Sequence, residues 1–346
     1  MSETAETPAV TSYIGNALGI AKTLDTYGLD GAATLLEMGV DVNSAPHFDA
    51  RVPGDMVHQA LLHHLPGGID AEFGLRFAKF INPINYHAFG VMLTSSTSLR
   101  AFCQRLQRYF AFINTGDRIE FDGSGELRYR QAVPAKFVGE SFEILLQESA
   151  WAATMLKMVR MVSSPEFAPQ RVALACVAPT GFTEKFDRYF RCPIEYEADV
   201  TALYFLEEEL DDALPGGNAE LARHSEQLVF NYVKTFVEVE LTNAARMSLF
   251  ELLPRGDFAL DTLAHSLELS AEDLGNQLKA SGTSYQQLLG DTRRELAEEY
   301  ILRADLSVNE IAYMLGFSDC SNFARSFRRW TGKSPSDFRE DLHKVK

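Results

Sequence analysis

Residues 307–334 read SVNEIAYMLGFSDCSNFARSFRRWTGKS, and residues 260–284 read LDTLAHSLELSAEDLGNQLKASGTS. The two are copies of one pattern, offset by about fifty residues. Leu263-Ala264 matches Ile311-Ala312, Leu267 matches Leu315, and Leu269-Ser270 matches Phe317-Ser318. After one inserted residue Leu274 and Leu278 fall opposite Phe323 and Phe327, and after another Gly282 falls opposite Gly332. Each copy predicts a short helix with a small alanine on its inner face, then a tight turn that Gly316 supplies in the second copy. An N-cap follows at Ser270 or Ser318, opening a second helix that ends at a glycine. The pattern is two helix-turn-helix units. The joining segment, Tyr285 to Leu302, predicts a helix of about 27 Å at 1.5 Å per residue. Two recognition helices on such a rod could enter successive major grooves, roughly 34 Å apart on one face of DNA.

Working back from this pair, Leu221 to Leu253 reads as one connecting helix. Ahead of it DDALPGGNAE (211–220) has the proline, glycines and acidic run of a linker. Further upstream the period changes. RIEFDGSGELRYRQ alternates around a Gly-Ser-Gly turn and predicts a hairpin, while VALAC and IEYEA read as short strands. Phe142 to Met161 predicts a long amphipathic helix between them. Helices are also expected over Tyr13 to about Ser44, interrupted at Gly28 and Gly31, and over VPGDMVHQALLHHLPGG, closed by Pro66 and Gly67. Another is expected from Ser98 to Phe112, with Leu99, Phe102, Leu106, Tyr109 and Phe110 on one face. The fold class is therefore an α+β N-terminal domain followed by an all-α C-terminal domain with two helix-turn-helix units joined by a linker helix. The expected limits are a disordered tail at 1–12, the α+β domain at 13–210, linker and connecting helix at 211–244, and the tandem domain at 245–346.

Composition agrees with a folded two-domain chain: 346 residues, 46% hydrophobic and 23% charged. The four cysteines, Cys103, Cys176, Cys192 and Cys320, are far apart and form no CxxC pair, which fits reduced thiols in a cytoplasmic protein. MSETAETPAV lacks the apolar block of a signal peptide, and no apolar run reaches membrane-helix length. The net charge of −16 argues against nucleic acid only when taken as a total. Residues 1–245 carry −13 and 246–302 carry −5, whereas 303–346 carry +2, with the arginines clustered there.

The run IAYMLGFSDCSNFARSFRRWTGKSPSDFR resembles the signature of the AraC/XylS family of bacterial transcription regulators. Ile311-Ala312, Gly316-Phe317, Ser318, Phe323, Arg325, Phe327, Gly332, Pro335 and Arg339 carry that resemblance. Upstream, FGLRFAKFINPINYHAFGVMLTSSTSLRAFCQRLQRYF and FDRYFRCPIEYEADVTALYFLEEELDDALPGG resemble the arabinose-binding-like sensor domain of the ornithine/virulence-regulator branch. The similarity covers roughly residues 13–340. By the family pattern the base readers of the second unit fall at Cys320, Ser321 and Arg325. Cys320 stands where the family often has glutamine or another polar residue, and Arg325 has the fork that fits guanine O6 and N7. Asn322, Arg328 and Arg329 read as phosphate contacts, and Phe323, Phe327 and Trp330 as an apolar core stripe.

The first unit departs from the family. Its equivalents of Cys320, Ser321 and Arg325 are Ala271, Glu272 and Asn276. Asp273 and Gly275 join Glu272 where arginines or glutamines are typical, leaving Lys279 as the basic residue of that helix. Asn276 suits adenine and Glu272 suits cytosine N4, yet the carboxylates face phosphates badly, so weak docking is expected of this unit. Elsewhere His63-His64 lacks a neighbouring carboxylate or cysteine at metal spacing, Arg76 reads as a structural ion pair, and no enzyme motif is present. Phe89, Tyr109, Phe112 and Trp151 are packed core or the wall of a pocket; no effector-binding residue, cofactor or metal site is assigned. The resemblance implies a one-component regulator that is not an enzyme, an activator sensing a small molecule or partner. It implies double-stranded DNA, RNA polymerase and a second copy of the chain, as a homodimer, as partners. The rival expectation is an interaction protein with weak or lost DNA binding that acts through another regulator.

Overall fold

The computed structural model describes residues 10–41, 50–64, 68–131, 141–237, 241–301, 303 and 305–344. The chain divides into two compact units, Met1–Val237 and Glu238–Lys346. In the N-terminal unit β1 (Thr11–Tyr13) leads into α1 (Ile14–Asp25) and α2 (Gly31–Glu37). Then come β2 (Arg51–Pro53), α3 (Gly54–His64), α4 (Phe73–Phe80), α5 (His87–Thr94) and α6 (Leu99–Tyr109). The expected hairpin is β3 (Asp117–Phe121) and β4 (Glu126–Gln131), followed by α7 (Ser141–Val162). The unit continues with β5 (Arg171–Ala173), α8 (Thr183–Phe190), β6 (Ile194–Glu195), β7 (Thr201–Tyr204) and α9 (Ala219–Val233).

The five-stranded sheet runs β3-β4-β7-β5-β6, antiparallel except for the β5–β6 edge. β7, whose short TALY run carries no alternation long enough to predict it, is the central strand. Along α7, Leu145, Leu146, Ala152, Ala153, Leu156, Val159 and Val162 are all buried. A helix so covered sits in the middle of a unit rather than on its surface; α7 packs against α4, α5 and β7.

Several expected limits move. Thr11 and Ser12, assigned to a disordered tail, lie in β1, which pairs with β2 in the register Thr11↔Pro53 and Tyr13↔Arg51. Pro66 and Gly67, the expected helix stop, lie outside the described residues, as does the expected helix end at Ser44. The 211–220 segment is laid onto the N-terminal unit. Arg100 forks onto Asp211 at 2.7 and 2.9 Å, and the Leu214 and Asn218 amides donate to the carbonyls of Thr97 and Ser95. α9 belongs to the same unit because its fully buried Glu226 accepts from Arg105 at 3.1 Å and Arg108 at 3.3 Å. The helix expected over Leu221–Leu253 is thus broken after Val233. There the Thr235 hydroxyl takes the Tyr232 carbonyl, and the Arg51 guanidinium stacks over the Phe236 ring at 4.2 Å.

The C-terminal unit is helical: α10 (Leu241–Leu252), α11 (Leu260–Ser266), α12 (Ala271–Ala280), α13 (Tyr285–Tyr300), α14 (Val308–Met314), α15 (Cys320–Thr331) and α16 (Pro335–Lys344). Leu263, Ala264, Leu274 and Leu278 are buried in the first copy, and Ile311, Ala312, Phe323 and Phe327 in the second. α13 joins the copies and is about 24 Å long at 1.5 Å per residue. Ser270 caps α12 as expected, but the cap of α15 is Asp319, whose carboxylate accepts from the Asn322 amide. Ser318 is therefore the inserted residue, and it lengthens the turn. Trp330, expected in the core, is half-buried, with its ring centre 6.2 Å from that of Phe317.

The two turns use the left-handed region differently. Gly316 sits at φ 68° and, in the first copy, Glu268 at φ 58°. A Cβ on Gly316 would lie 2.2 Å from the Phe258 ring. Gly316→Ala is expected to lower the stability of this unit by about 2 kcal/mol, backbone strain and overlap combined. Glu268→Gly is expected to raise it by up to about 1 kcal/mol. Chemical denaturation followed by circular dichroism checks both signs.

The N-terminal unit holds two buried carboxyls, Asp117 and Glu148, that are hydrogen-bonded by hydroxyls. Burial pushes Asp117 up to about 7 against the opposing hydrogen bond from Tyr129. Burial likewise pushes Glu148 up to about 7, with the Thr201 hydroxyl opposing and Asp117 adding to the rise. The folded chain then holds these protons at pH values where the unfolded chain has released them. The resulting stability is full below about pH 4 and is lost as pH rises through 7. The melting temperature of this unit should be lower at pH 8 than at pH 6, and Asp117→Asn with Glu148→Gln should flatten that slope.

Candidate functional site

The second helix-turn-helix is assembled by local capping and by two arginines from outside it. Ser307 and Glu310 form a capping box that opens α14. Its other end leaves carbonyls unpaired within the helix, and Arg293 of α13 reaches them. Nε donates to Leu315 O at 2.7 Å and Nη2 to Gly316 O at 3.0 Å. The same guanidinium lies 5.0 Å from the ring centres of both Phe258 and Phe317. Arg339 of α16 donates to the carbonyls of Ile301, Arg303 and Leu306, holding the chain between α13 and α14. With Phe323 and Phe327 fully buried, the opposite face of α15 is set by default.

On that face Ser321, Arg325, Arg328 and Arg329 are exposed. Arg325 Nη2 donates to Asn322 Oδ1, while Asn322 Nδ2 donates to Ser318 and Asp319. Asn322 thus links the cap to the arginine. The Asp319 carboxyl is held below the usual carboxylate range, first by the Asn322 amide, with Ser318 and Arg325 adding to it. Cys320 is half-buried and turned to α14, its thiol donating to Asn309 Oδ1 at 2.8 Å. It is therefore set apart from Ser321 and Arg325. In α12, Glu272, Asn276 and Lys279 are all exposed on the corresponding face. Glu272 and Asp273 occupy the first turn, and the space beside Gly275 is open. The equivalence of Arg325 with Asn276 holds in three dimensions, since each lies six residues after its cap, Asp319 or Ser270.

In the N-terminal unit a cavity of about 290 Å³ is lined by α1, α3, α4, α5, α6, the β3–β4 hairpin and α7. Phe89 and Trp151, two of the four expected aromatics, line it. Tyr109 and Phe112 are packed core, 0% and 5% exposed. Asp117, Gln147 and Thr154 also reach the wall. Their sequence shows no sign of this, because an aspartate opening a hairpin reads as surface until the fold buries it.

Arg76 pairs with Glu72 at 3.0 Å and lies over the Tyr27 ring, so its role is structural as expected. His63-His64 does acquire the carboxylate missing from its sequence neighbourhood. Glu37 of α2 accepts from His63 Nδ1 at 3.2 Å, and His64 Nε2 lies 2.7 Å from the Thr34 hydroxyl. The potential ligand atoms of Glu37, His63 and His64 lie within 4.8 Å of one another. All four cysteines are free. No helix among the described residues is long and apolar enough to cross a membrane.

Comparison with known proteins agrees with both units. The model of the arabinose-binding domain of AraC transcription regulators matches residues 28–214, over half the chain, and a helix-turn-helix domain model matches residues 263–341. The ornithine utilization regulator of Pseudomonas aeruginosa is 29% identical over 275 residues, 78% of this chain and 79% of that protein. The HTH-type transcriptional regulator VqsM of the same organism is 26% identical over 160 residues, 46% of this chain and 49% of its own length. The crystal structure of the transcriptional regulator CdpR from P. aeruginosa covers 92% of this chain and 97% of its own, at 18% identity and a TM-score of 0.49. With a sensor-domain match over most of one unit and a DNA-binding match over most of the other, the chain belongs to the AraC family of DNA-binding transcription regulators, and not to an enzyme family.

Proposed function

We propose that this regulator reads its operator chiefly through α15, with Arg325 and Ser321 on base edges and Arg328 and Arg329 on phosphates. The observation that carries this reading is the contrast between two structurally equivalent helices. α15 exposes three arginines, whereas α12 exposes Glu272, Asn276 and Lys279 with a second carboxylate, Asp273, beside them. A forked guanidinium on guanine discriminates by about 1–3 kcal/mol per base, and phosphate contacts add affinity and register without sequence information. Asn322 orients Arg325 as well as approaching phosphate itself. Cys320 reaches a base only by giving up Asn309. The first unit then docks weakly, with Asn276 and Lys279 as its contacts and Glu272 limited to a cytosine amino group.

In the same reading the N-terminal unit binds a small-molecule effector in its cavity. The effector favours the DNA-competent arrangement by its differential affinity for two states. The bound regulator, acting as a homodimer, recruits RNA polymerase and activates transcription.

Selection of bound duplexes from a random pool by the full chain tests the DNA reading. One enriched half-site, absent with Arg325→Ala, is the expected result. Joint replacement of Arg328 and Arg329 by alanine should weaken binding evenly across sequences. It should also reduce the salt slope by about 1.8, roughly 0.9 for each phosphate no longer neutralised. Two enriched half-sites one turn apart would assign base reading to α12 as well. Absence of any enrichment would overturn the proposal in favour of a regulator that works through a DNA-binding partner.

A further inference from the structure

The cavity of the N-terminal unit has a chemical sign as well as a size. Most of its wall is apolar, with Phe77, Phe89, Leu106, Phe110, Met155 and Met158 among the lining residues. Into this wall project a few polar groups. Asp117 Oδ2 accepts from the Tyr129 hydroxyl at 2.9 Å, and Tyr129 in turn accepts from Gln147 at 3.2 Å. Asp117 Oδ1 is buried and has no hydrogen-bond partner among the described residues, and the same is true of Trp151 Nε1 and Thr154 Oγ1. Gln147, Trp151, Thr154 and Met158 recur at helical spacing along one face of α7, so their side chains converge on the same space.

Buried polar atoms are normally paired, and those that are not call for a further partner. The charged residues of the described lining are Asp55, Asp117 and Glu143, with His58; none is lysine or arginine. We infer that this cavity receives a small primary amine with an apolar alkyl or aryl body, its ammonium group bonded to Asp117. The inference rests on the proposal that the N-terminal unit senses a small molecule, and it names the class of that molecule.

Three observations favour an amine over the alternatives. A carboxylate or phosphate ligand would enter a site with no lysine or arginine on its described wall and a carboxyl at its polar end. A sugar presents hydroxyls on every side, whereas the buried polar atoms of the described lining that lack a partner belong to Asp117 and the α7 face alone. The volume of about 290 Å³ is at the lower end of the roughly 300–1,000 Å³ typical of small-molecule pockets, which suits a short ligand. Asp117 Oδ1 and Thr154 Oγ1 accept from the ammonium, and an aryl ligand body offers its π face to the Trp151 Nε1–H. Burial pushes the Asp117 carboxyl up to about 7, and an adjacent ammonium draws it to the charged form.

The two tryptophans are Trp151 and Trp330, so Trp330→Phe in the full chain leaves Trp151 as the sole reporter in the cavity. Its fluorescence and calorimetry are followed with 2-phenylethylamine and n-hexylamine, and with 2-phenylethanol, 3-phenylpropionate and arabinose. The amines are expected to saturate the site, the phenylethylamine about tenfold or more tighter than the matched alcohol, with no saturation by the acid or the sugar. Asp117→Asn should remove that preference while leaving the alcohol unchanged. Should that variant fold poorly, Thr154→Val and the amine-to-acid comparison on the unsubstituted side chain carry the test. Tighter binding of the acid or the sugar, or an amine preference that survives Asp117→Asn, overturns the inference. So does a failure of both amines to bind. A cavity-filling Ala150→Phe variant in a transcription reporter then separates the two levels. A changed output keeps the sensing reading and rejects only the amine, and an unchanged output rejects both.

Discussion

The guanidinium of Arg293 is the point on which the DNA-binding unit depends. It lies near the rings of Phe258 and Phe317 and donates to the carbonyls of Leu315 and Gly316. Phe258 is the approach to the first helix-turn-helix, Arg293 belongs to the joining helix, and Leu315-Gly316 is the turn of the second. One side chain therefore ties together the three parts whose relative placement decides where two recognition helices point. Helix C-terminal carbonyls carry partial negative charge, and a planar fork of donors matches two of them at once. A lysine, as a point charge without a face to stack, could not make both kinds of contact. Burial lowers the Arg293 pKa, yet an arginine stays protonated, so the clamp does not open with ordinary changes of pH.

That clamp also accounts for Gly316. The left-handed turn brings the backbone against Phe258, and a side chain there would occupy the same space as the ring. In the first copy Glu268 takes the left-handed conformation with a side chain attached. The two copies therefore share an architecture without sharing the reason for their turns. Equal geometry and unequal surface chemistry recur in the recognition helices. Capping and core positions are equivalent, while the outward positions carry arginines in one copy and carboxylates in the other. Folding constrains the buried leucines and phenylalanines, and the exposed positions are left open to what each helix must touch.

In the N-terminal unit the governing constraint is burial of charge. Glu226, 1% exposed, is held between Arg105 and Arg108 and fixes α9 onto α6. Asp117 and Glu148 are also buried, but hydroxyls hydrogen-bond to them and burial raises both. The first arrangement makes a firm joint within the unit. The second leaves Asp117, with one carboxyl oxygen lacking a partner among the described residues, on the wall of a largely apolar cavity, a costly feature in a structure serving stability alone.

The repeat, the Ser270 cap, the hairpin at Gly123–Gly125 and the long helix at 141–162 were legible in the sequence. Each is written in residues close together, where period, cap and turn act locally. The core of both helix-turn-helix units and the exposure of Arg325, Arg328 and Arg329 follow from the same periodicity. Other features depend on residues brought together over long separations. The 211–220 stretch has the composition of a linker, and only Arg100, Thr97 and Ser95 draw it onto the N-terminal unit. The connecting helix breaks after Val233 where Arg51 stacks on Phe236. β7 is a strand because β4 and β5 flank it, and Cys320 turns from the exposed face because Asn309 of the neighbouring helix offers an acceptor. Sequence by itself determined the elements and the tandem motif, since hydrogen bonding and side-chain period within a segment suffice for those. Tertiary structure alone decided the unit boundary, the Arg293 clamp and the cavity around Asp117, because each is a matter of which distant groups share a volume that water has left.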